Sequence, residues 1–184
     1  MSQWLSPDTF RNIKADSFRF GSAEATRSVW GYGLGGLNAS WLTQTIFILL
    51  GFATYQVLVR RYVSTDGIQN FNLRMAADDV LKVGTMLIVS RLLSRQPLDS
   101  EWRTSSLQLL AGFVAFDMVT SRFVPQVSDP RLSATVQDGV KFGTMYVVSW
   151  WLAGSLTSLS DLVSCLTQAG SYVAGLALYN YFLA

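Results

Sequence analysis

The chain has 184 residues, half of them apolar and only 14% charged, with a net charge of +2 and no histidine. A soluble domain carries about 25% charge, so the composition points to a bilayer, while the small net charge gives no footing for a nucleic-acid partner and the missing histidine removes the commonest general base and metal ligand. The single cysteine, Cys165, lies in an apolar run; it excludes an internal disulfide and reads as a small buried hydrophobe.

Residues 1–40 mix Arg11, Lys14, Asp16, Arg19, Glu24 and Arg27 with aromatics and lack the short apolar core of a cleavable signal. They read as a polar arm with at most a short helix within 7–27. Gly31, Gly33, Gly35 and Gly36 predict irregular backbone at its end. Gly31, Gly33 and Gly36 also spell GxGxxG, but no strand precedes them and no βαβ unit follows, so a dinucleotide site is not expected. Asn38-Ala39-Ser40 is a sequon lying almost against the next segment.

Trp41 to Val59 holds no charged residue. At about 1.5 Å per residue it covers roughly the 30 Å of a bilayer's hydrocarbon core. Trp41 serves as an interface anchor and Arg60-Arg61 as the stop, so 41–60 is the first predicted span. Residues 60–78 read as a polar connection.

The rest of the chain is organised by an internal repeat at a shift of 59 residues. DDVLKVGTMLIVSRLL from Asp78 matches QDGVKFGTMYVVSWWL from Gln137. Asp79 meets Asp138, Lys82 meets Lys141, and Gly84-Thr85-Met86 meets Gly143-Thr144-Met145. At the same shift Phe113 meets Tyr172, Val114-Ala115 meets Val173-Ala174, and Phe123 meets Phe182. Each copy holds two apolar stretches: 79–95 and 104–123 in the first, 138–155 and 161–183 in the second. Pro125 and Pro130 mark the linker between them. The hairpins thus occupy 78–124 and 137–184. The second is the more apolar; in the first, Lys82, Arg91, Arg95 and Asp117 interrupt the stretches and require snorkelling. An even number of spans per copy makes the copies parallel, unlike the inverted repeats of many secondary transporters. The expected fold is an all-α polytopic membrane bundle of about five spans with a tandem parallel duplication of a helical hairpin.

The repeated string D-x-x-K-x-G-T-M-x-x-V-S places Asp79, Lys82, Met86 and Ser90 on one helical face, and Asp138, Lys141, Met145 and Ser149 on another. Gly84 and Gly143 lie beside those faces and would permit close backbone approach. A face kept in both copies is expected to be the one on which the copies meet. Asp79 and Asp138 are expected at helix starts, where a carboxylate suits the dipole. Three readings of the charges stand side by side: an i,i+3 pair within each copy at the membrane surface, a crossed pairing of Asp79 with Lys141 and Asp138 with Lys82 that fixes register, and an ion or proton path. Asp117 is a carboxylate inside a predicted span, a functional candidate by default, or else an interfacial neighbour of Arg122. Trp41, Trp102, Trp150, Trp151, Tyr179 and Tyr181 sit near predicted ends, as interface belts do.

The strings DDVLKVGTMLIVSRLLS and QDGVKFGTMYVVSWWLAGSL resemble a multi-span minor capsid or inner-membrane protein type of large icosahedral DNA viruses. The resemblance covers about 78–123 and 137–183. It implies a viral structural protein of the virion's internal, host-derived membrane, anchoring the capsid shell. The arm, residues 1–40, would then grip a capsid or other virion protein by ordering on binding. The expected partners are the lipid bilayer, such virion proteins and further copies of the chain. No cofactor, metal or catalytic residue is expected, because no acid–base pair or activated nucleophile is visible and an enzyme is disfavoured. The alternative is a small channel or transporter using Asp79, Lys82, Asp117, Asp138 and Lys141.

Overall fold

Side-chain caps set the helix boundaries. Ser6, Asn38, Asn70, Asp99, Asp129 and Ser158 each accept a hydrogen bond from the backbone N–H three residues on, satisfying donors that the first helical turn leaves open. At Ser158 the Asp161 carboxylate reaches back to complete a capping box. Pro7 and Pro130 occupy the first helical position, where a missing N–H costs nothing. The resulting helices, in a computed structural model that describes residues 6–183, are α1 (Pro7–Tyr32), α2 (Ala39–Tyr62, with a π-helical turn at Tyr55–Val59), α3 (Phe71–Leu93), α4 (Ser100–Met118), α5 (Pro130–Leu152) and α6 (Leu159–Phe182). There is no strand among the described residues.

The helices alternate in direction. Both ends of the described chain and the 63–70 and 119–129 connections lie at one end, called here the near end. The 33–38, 94–99 and 153–158 connections lie at the far end. Each helix packs on the next in sequence, and α6 packs back on α1, with no comparably extensive packing across the middle. Six helices therefore close a ring.

Three seams of this ring are tightened in the same way. A methyl group built on Gly51 of α2 would lie 2.6 Å from Met86 Cα on α3, and one on Gly112 of α4 would lie 2.6 Å from Met145 Cα on α5. One on Gly175 of α6 would run into the backbone of Ser22 and Ala23 on α1. Only glycine admits such backbone-on-backbone approach. Met86 and Met145 are repeat equivalents, and Ala23 takes their place on α1. The far-end turns agree: Gly33, Arg95 and Gly154, one after each odd-numbered helix, all have positive φ. The hairpin is thus present three times, as α1–α2, α3–α4 and α5–α6, around a pseudo-threefold axis.

Several expectations change. The helix expected to be short within 7–27 is long: α1 runs the full Pro7–Tyr32 and makes the helices six, with Asp16 and Arg19 paired to other helices and Asp8, Arg11 and Lys14 exposed near its start. The Gly-rich end is irregular as expected, a short 3-10 turn at Gly33–Gly36, while residues 1–5 of the arm lie outside the described residues. The connection at 60–78 is shorter, because Asn70 caps α3 eight residues before Asp78. Asp79 and Asp138 accordingly sit about two turns inside their helices, not at the starts. Gly84 and Gly143 are not the close-approach glycines: the nearest atom to a methyl on Gly84 is a Leu110 side-chain carbon at 3.8 Å, and Gly143 faces open space. The extensive packing between the copies is α4 against α5, while the matching helices α3 and α5 meet through the Lys141–Asp79 ion pair. By length and composition two helices, Ala39–Tyr62 and Leu159–Phe182, are apolar enough to cross a membrane. Cys165 is fully buried.

Candidate functional site

The pseudo-threefold axis carries a closed circuit of ion pairs. Lys82 on α3 reaches back to Asp16 on α1, Nζ to Oδ1 2.6 Å. Lys141 on α5 pairs with Asp79 on α3, and Arg19 on α1 pairs with Asp138 on α5. Every base meets the acid of the preceding copy, and the third acid meets the first base, so the three odd helices are tied into a loop near the near end. All three carboxylates are largely withdrawn from solvent; Asp138 is 2% exposed. In such surroundings each charge depends on its partner, because an unpaired one would be left desolvated.

The even helices brace this circuit. Gln56 on α2 donates from Nε2 to Asp16 Oδ2 at 3.0 Å, and Asn180 on α6 donates from Nδ2 to Asp138 Oδ2 at 3.1 Å. The corresponding position on α4 is Asp117. It is 4% exposed and faces Asp79, and its Oδ1 lies 3.9 Å from Lys141 Nζ. Asp117, left between two readings by the sequence, belongs to the ion-pair circuit and not to an interface with Arg122, which is exposed.

One helical turn further toward the far end, aromatic side chains close the axis. Phe20 stacks on Phe52 with centroids 4.2 Å apart, and Phe113 meets Phe142 edge-on at 5.8 Å. Val83 and Leu176, their counterparts on α3 and α6, complete the layer and are buried. Beyond it lies a cavity of about 250 Å³ to which all six helices contribute, with Glu24, Leu87, Ser90, Tyr146 and Tyr172 on its wall. Its charges come from the first copy alone. Arg27 donates to Glu24 Oε2 at 3.0 Å, where the equivalent positions of the other copies hold Leu87 with Ser90 and Tyr146 with Ser149. Trp41 on α2 donates from Nε1 to the Glu24 carbonyl at 3.3 Å, fixing that turn of α1. A wider vestibule of about 680 Å³ at the far end shares Arg27 and is lined by Tyr32, Asn38 and Gln44. No cluster of three or more metal-ligating side chains occurs among the described residues.

The residues singled out by the repeat therefore divide. Asp79, Lys82, Asp138 and Lys141 form the circuit; Met86 and Met145 supply backbone to the glycine seams and side to the cavity; Ser90 lines the cavity and donates to the Leu87 carbonyl at 3.1 Å. Ser149 is partly buried and its carbonyl accepts from Ala153 at the end of α5. Of the pairings considered, Asp79 with Lys141 is present across the copies, whereas Asp138 and Lys82 take partners on α1, and neither i,i+3 pair forms.

Sequence reasoning missed Asp16, Arg19, Glu24, Arg27, Gln56 and Asn180. The signal was available: ADSFRFGSA from Ala15 carries D-x-x-R-x-G-S-A, the same string with Arg for Lys, Ser for Thr and Ala for Met. It stands 63 residues before Asp79, not 59, so a search at constant shift passes over it. The same irregularity shifts α6: by packing, Gly112 corresponds to Gly175 and Phe113 to Leu176, one turn beyond the Phe113–Tyr172 match. No known protein family, curated protein or solved structure shows significant similarity to this chain.

Proposed function

We propose that the chain is a six-span membrane transporter of a small polar or amphiphilic solute, with the central cavity as the binding site and the ion-pair circuit as the gate on the near-end side. The observation that carries this reading is the circuit itself. Three ion pairs, each replaceable by water if the odd helices separate, close one end of a cavity lined by all six helices. Such a closure is bistable: intact, it seals the axis; broken, it exposes charges that water at the near end can solvate. A bundle needing only rigidity would gain as much from apolar side chains at these positions.

The distribution of charge supports a six-span reading despite the polar look of α1. Between Lys14 and Arg27 the exposed side chain of α1 is Phe18, while Asp16 and Glu24 are buried and Arg19 turns to Asp138. That stretch of 13 residues covers about 20 Å, and snorkelling by Lys14 and Arg27 extends it. The same holds on α5, where Asp138 and Lys141 face inward. Ionisable groups in spans that point to the bundle interior and pair with each other are the pattern expected of a transport path. Glu24 and Arg27, the charges unique to one copy, give the cavity a handle for a polar group on the solute.

The capsid-anchor reading relied on residues 1–40 as a free arm. With Pro7–Tyr32 built into the ring and Asp16 and Arg19 holding two of its three ion pairs, that segment already has its partners within the chain.

The test is a thermal-shift screen of the purified protein against amino acids, carboxylates, nucleotides, sugars and amines, followed by counterflow in liposomes with any stabilising solute. Transport is expected for the wild type and lost in Arg27→Ala with the fold intact. A protein that neither is stabilised by nor exchanges any member of the panel, while its ion-pair variants remain equally inert and equally stable, has no gate and no site.

A further inference from the structure

The three corners of the circuit are not chemically equal. Each contains an acid from one copy, a base from the next, and a polar side chain from the adjoining even helix. In the Asp16–Lys82 corner that third group is the Gln56 amide, and in the Asp138–Arg19 corner it is the Asn180 amide. Both corners are neutral, and both amides supply a hydrogen to the carboxylate. The remaining corner has a carboxyl, Asp117, in the amide's place. If ionised, Asp117 has no hydrogen to donate, and two carboxylates share one ammonium.

The geometry agrees. Asp79 and Asp117 both converge on Lys141, one in contact and the other at 3.9 Å. Asp79 Oδ2 is the oxygen in contact with Lys141, whereas the buried Oδ2 of Asp117 has no hydrogen-bond partner, a costly state for a desolvated acceptor. Among the described residues, the neighbouring charged groups are otherwise engaged. On α3, Lys82 is held by Asp16 and Asp78 accepts from the Tyr55 hydroxyl; on α5, Asp138 is held by Arg19 and Asn180; the charged residue of the turn after α4, Arg122, is exposed. Lys141 Nζ lies 5.6 Å and 5.4 Å from the ring centroids of Phe113 and Phe116, whose faces attract an ammonium.

We propose that the Asp79–Asp117–Lys141 corner is a proton-binding site: Asp117 takes up one proton and donates it in a hydrogen bond to Asp79, reproducing the bond that Gln56 and Asn180 make with their amides. A protonated aspartic acid has the shape of asparagine, so the corner then matches the other two in geometry and charge. When Lys141 leaves Asp79 as the circuit opens, water reaches Asp117 from the near end; its O–H bond breaks and the proton departs to that water. Closing takes one proton up. The site stands on its own geometry; its coupling to solute movement rests on the transport reading above.

Infrared difference spectroscopy of the full chain in lipid tests the two separately. A protonated-carboxyl C=O stretch is expected in the wild type at near-neutral pH, absent from Asp117→Asn and unchanged in Glu101→Gln, an exposed control. Should Asp117→Asn fail to fold, Asp79→Asn serves: with the competing negative charge gone, Asp117 pairs ionised with Lys141 and the band disappears. No such band in the wild type, or a band that survives both substitutions, overturns the site. Counterflow is expected to slow toward high pH in the wild type and to lose that dependence in Asp117→Asn. A band present with pH-independent transport leaves the proton site standing and removes the coupling.

Discussion

Asn180, near the end of α6, donates to Asp138, two turns inside α5, while Arg19 of α1 holds the other oxygen of the same carboxylate. One carboxylate thus joins the last hairpin to the first. The pair of Arg19 with Asp138 closes the ring, which no contact between consecutive helices could do, and Asn180 braces it from α6. It also puts different weights on the two residues. Asn180→Leu removes one hydrogen bond and leaves Asp138 paired with Arg19, so a loss of about 1–3 kcal/mol is expected. Asp138→Asn leaves Arg19 without its counter-charge, and its Nε already lacks a partner; about 3–5 kcal/mol is expected. Chemical denaturation of the two variants in the same detergent checks the order.

The direction of the circuit makes a charge-reversal experiment specific. Asp16→Lys or Lys82→Asp alone places like charges together and should destabilise the closed ring by several kcal/mol. Both together restore an attractive pair, braced less well because Gln56 must now accept, and more than half of the loss is expected to return. Combining Lys82→Asp with Asp79→Lys, its i,i+3 neighbour, should not rescue. Rescue by that second combination, read as unfolding free energy, would show that the pairs run within copies.

The glycine seams predict a sharp contrast among small substitutions. Gly51→Ala and Gly112→Ala force backbone apart, since each methyl would meet a methionine Cα at 2.6 Å; losses of about 1–3 kcal/mol are expected for such overpacking. Gly143→Ala meets open space on an α5 that is helical throughout, and should stabilise by up to about 1 kcal/mol from helix propensity. Melting temperatures in one detergent order the four proteins. A tolerated Gly112→Ala would remove the basis for calling the seams equivalent.

Much of the fold was legible in the sequence where apolar length and repeat spacing were regular. The apolar helices Ala39–Tyr62 and Leu159–Phe182, the duplicated hairpin and the pairing of Asp79 with Lys141 all followed from pattern. The third copy was not, for a physical reason. Its helix carries the cavity's charged pair, Glu24 and Arg27, together with Asp16 and Arg19, so its composition looks solvated when its charges in fact point at the axis. Amphipathicity turned inside out cannot be told from a surface helix by composition alone; only the D-x-x-R-x-G-S-A string distinguishes the two. Asp117 was recognised as unusual, but its role depends on Gln56 and Asn180, which no periodicity marks.

Since α1 contributes to two of three ion pairs and to the Gly175 seam, removal of residues 1–36 should not behave as the loss of an arm. The remaining five helices would expose Asp138 and Lys82 without their counter-charges and open the cavity along its length. Aggregation or a melting temperature too low to measure is expected in size-exclusion and thermal-shift experiments. Adding the 1–36 segment back as a separate peptide should recover part of the folded fraction. A truncated protein that is monodisperse and as stable as the full chain would mean that α1 docks on the bundle without holding it.

The new helix also decides sidedness. With α1 in the bundle, Arg11 and Lys14 join Arg60, Arg61, Arg74, Arg122 and Arg131 at the near end, where the outlying acids are Asp8, Asp66, Asp78 and Asp129. The far end has Arg27, Arg91, Arg95 and Arg103, of which Arg27 is paired with Glu24 and Arg91 lies 3.6 Å from Asp99. If the six helices span as proposed, basic residues flanking spans are retained on the cytoplasmic side, so the near end, with the ion-pair circuit, should face the cytoplasm and the vestibule should face out. Ser64→Cys at the near end and Ser155→Cys at the far end, both exposed positions, report this directly, because the native Cys165 is buried. In intact cells a membrane-impermeant maleimide should label Ser155→Cys and spare Ser64→Cys until the membrane is permeabilised. The reverse pattern would place the gate outside; labelling of both in intact cells would mean that the ring does not span as six helices.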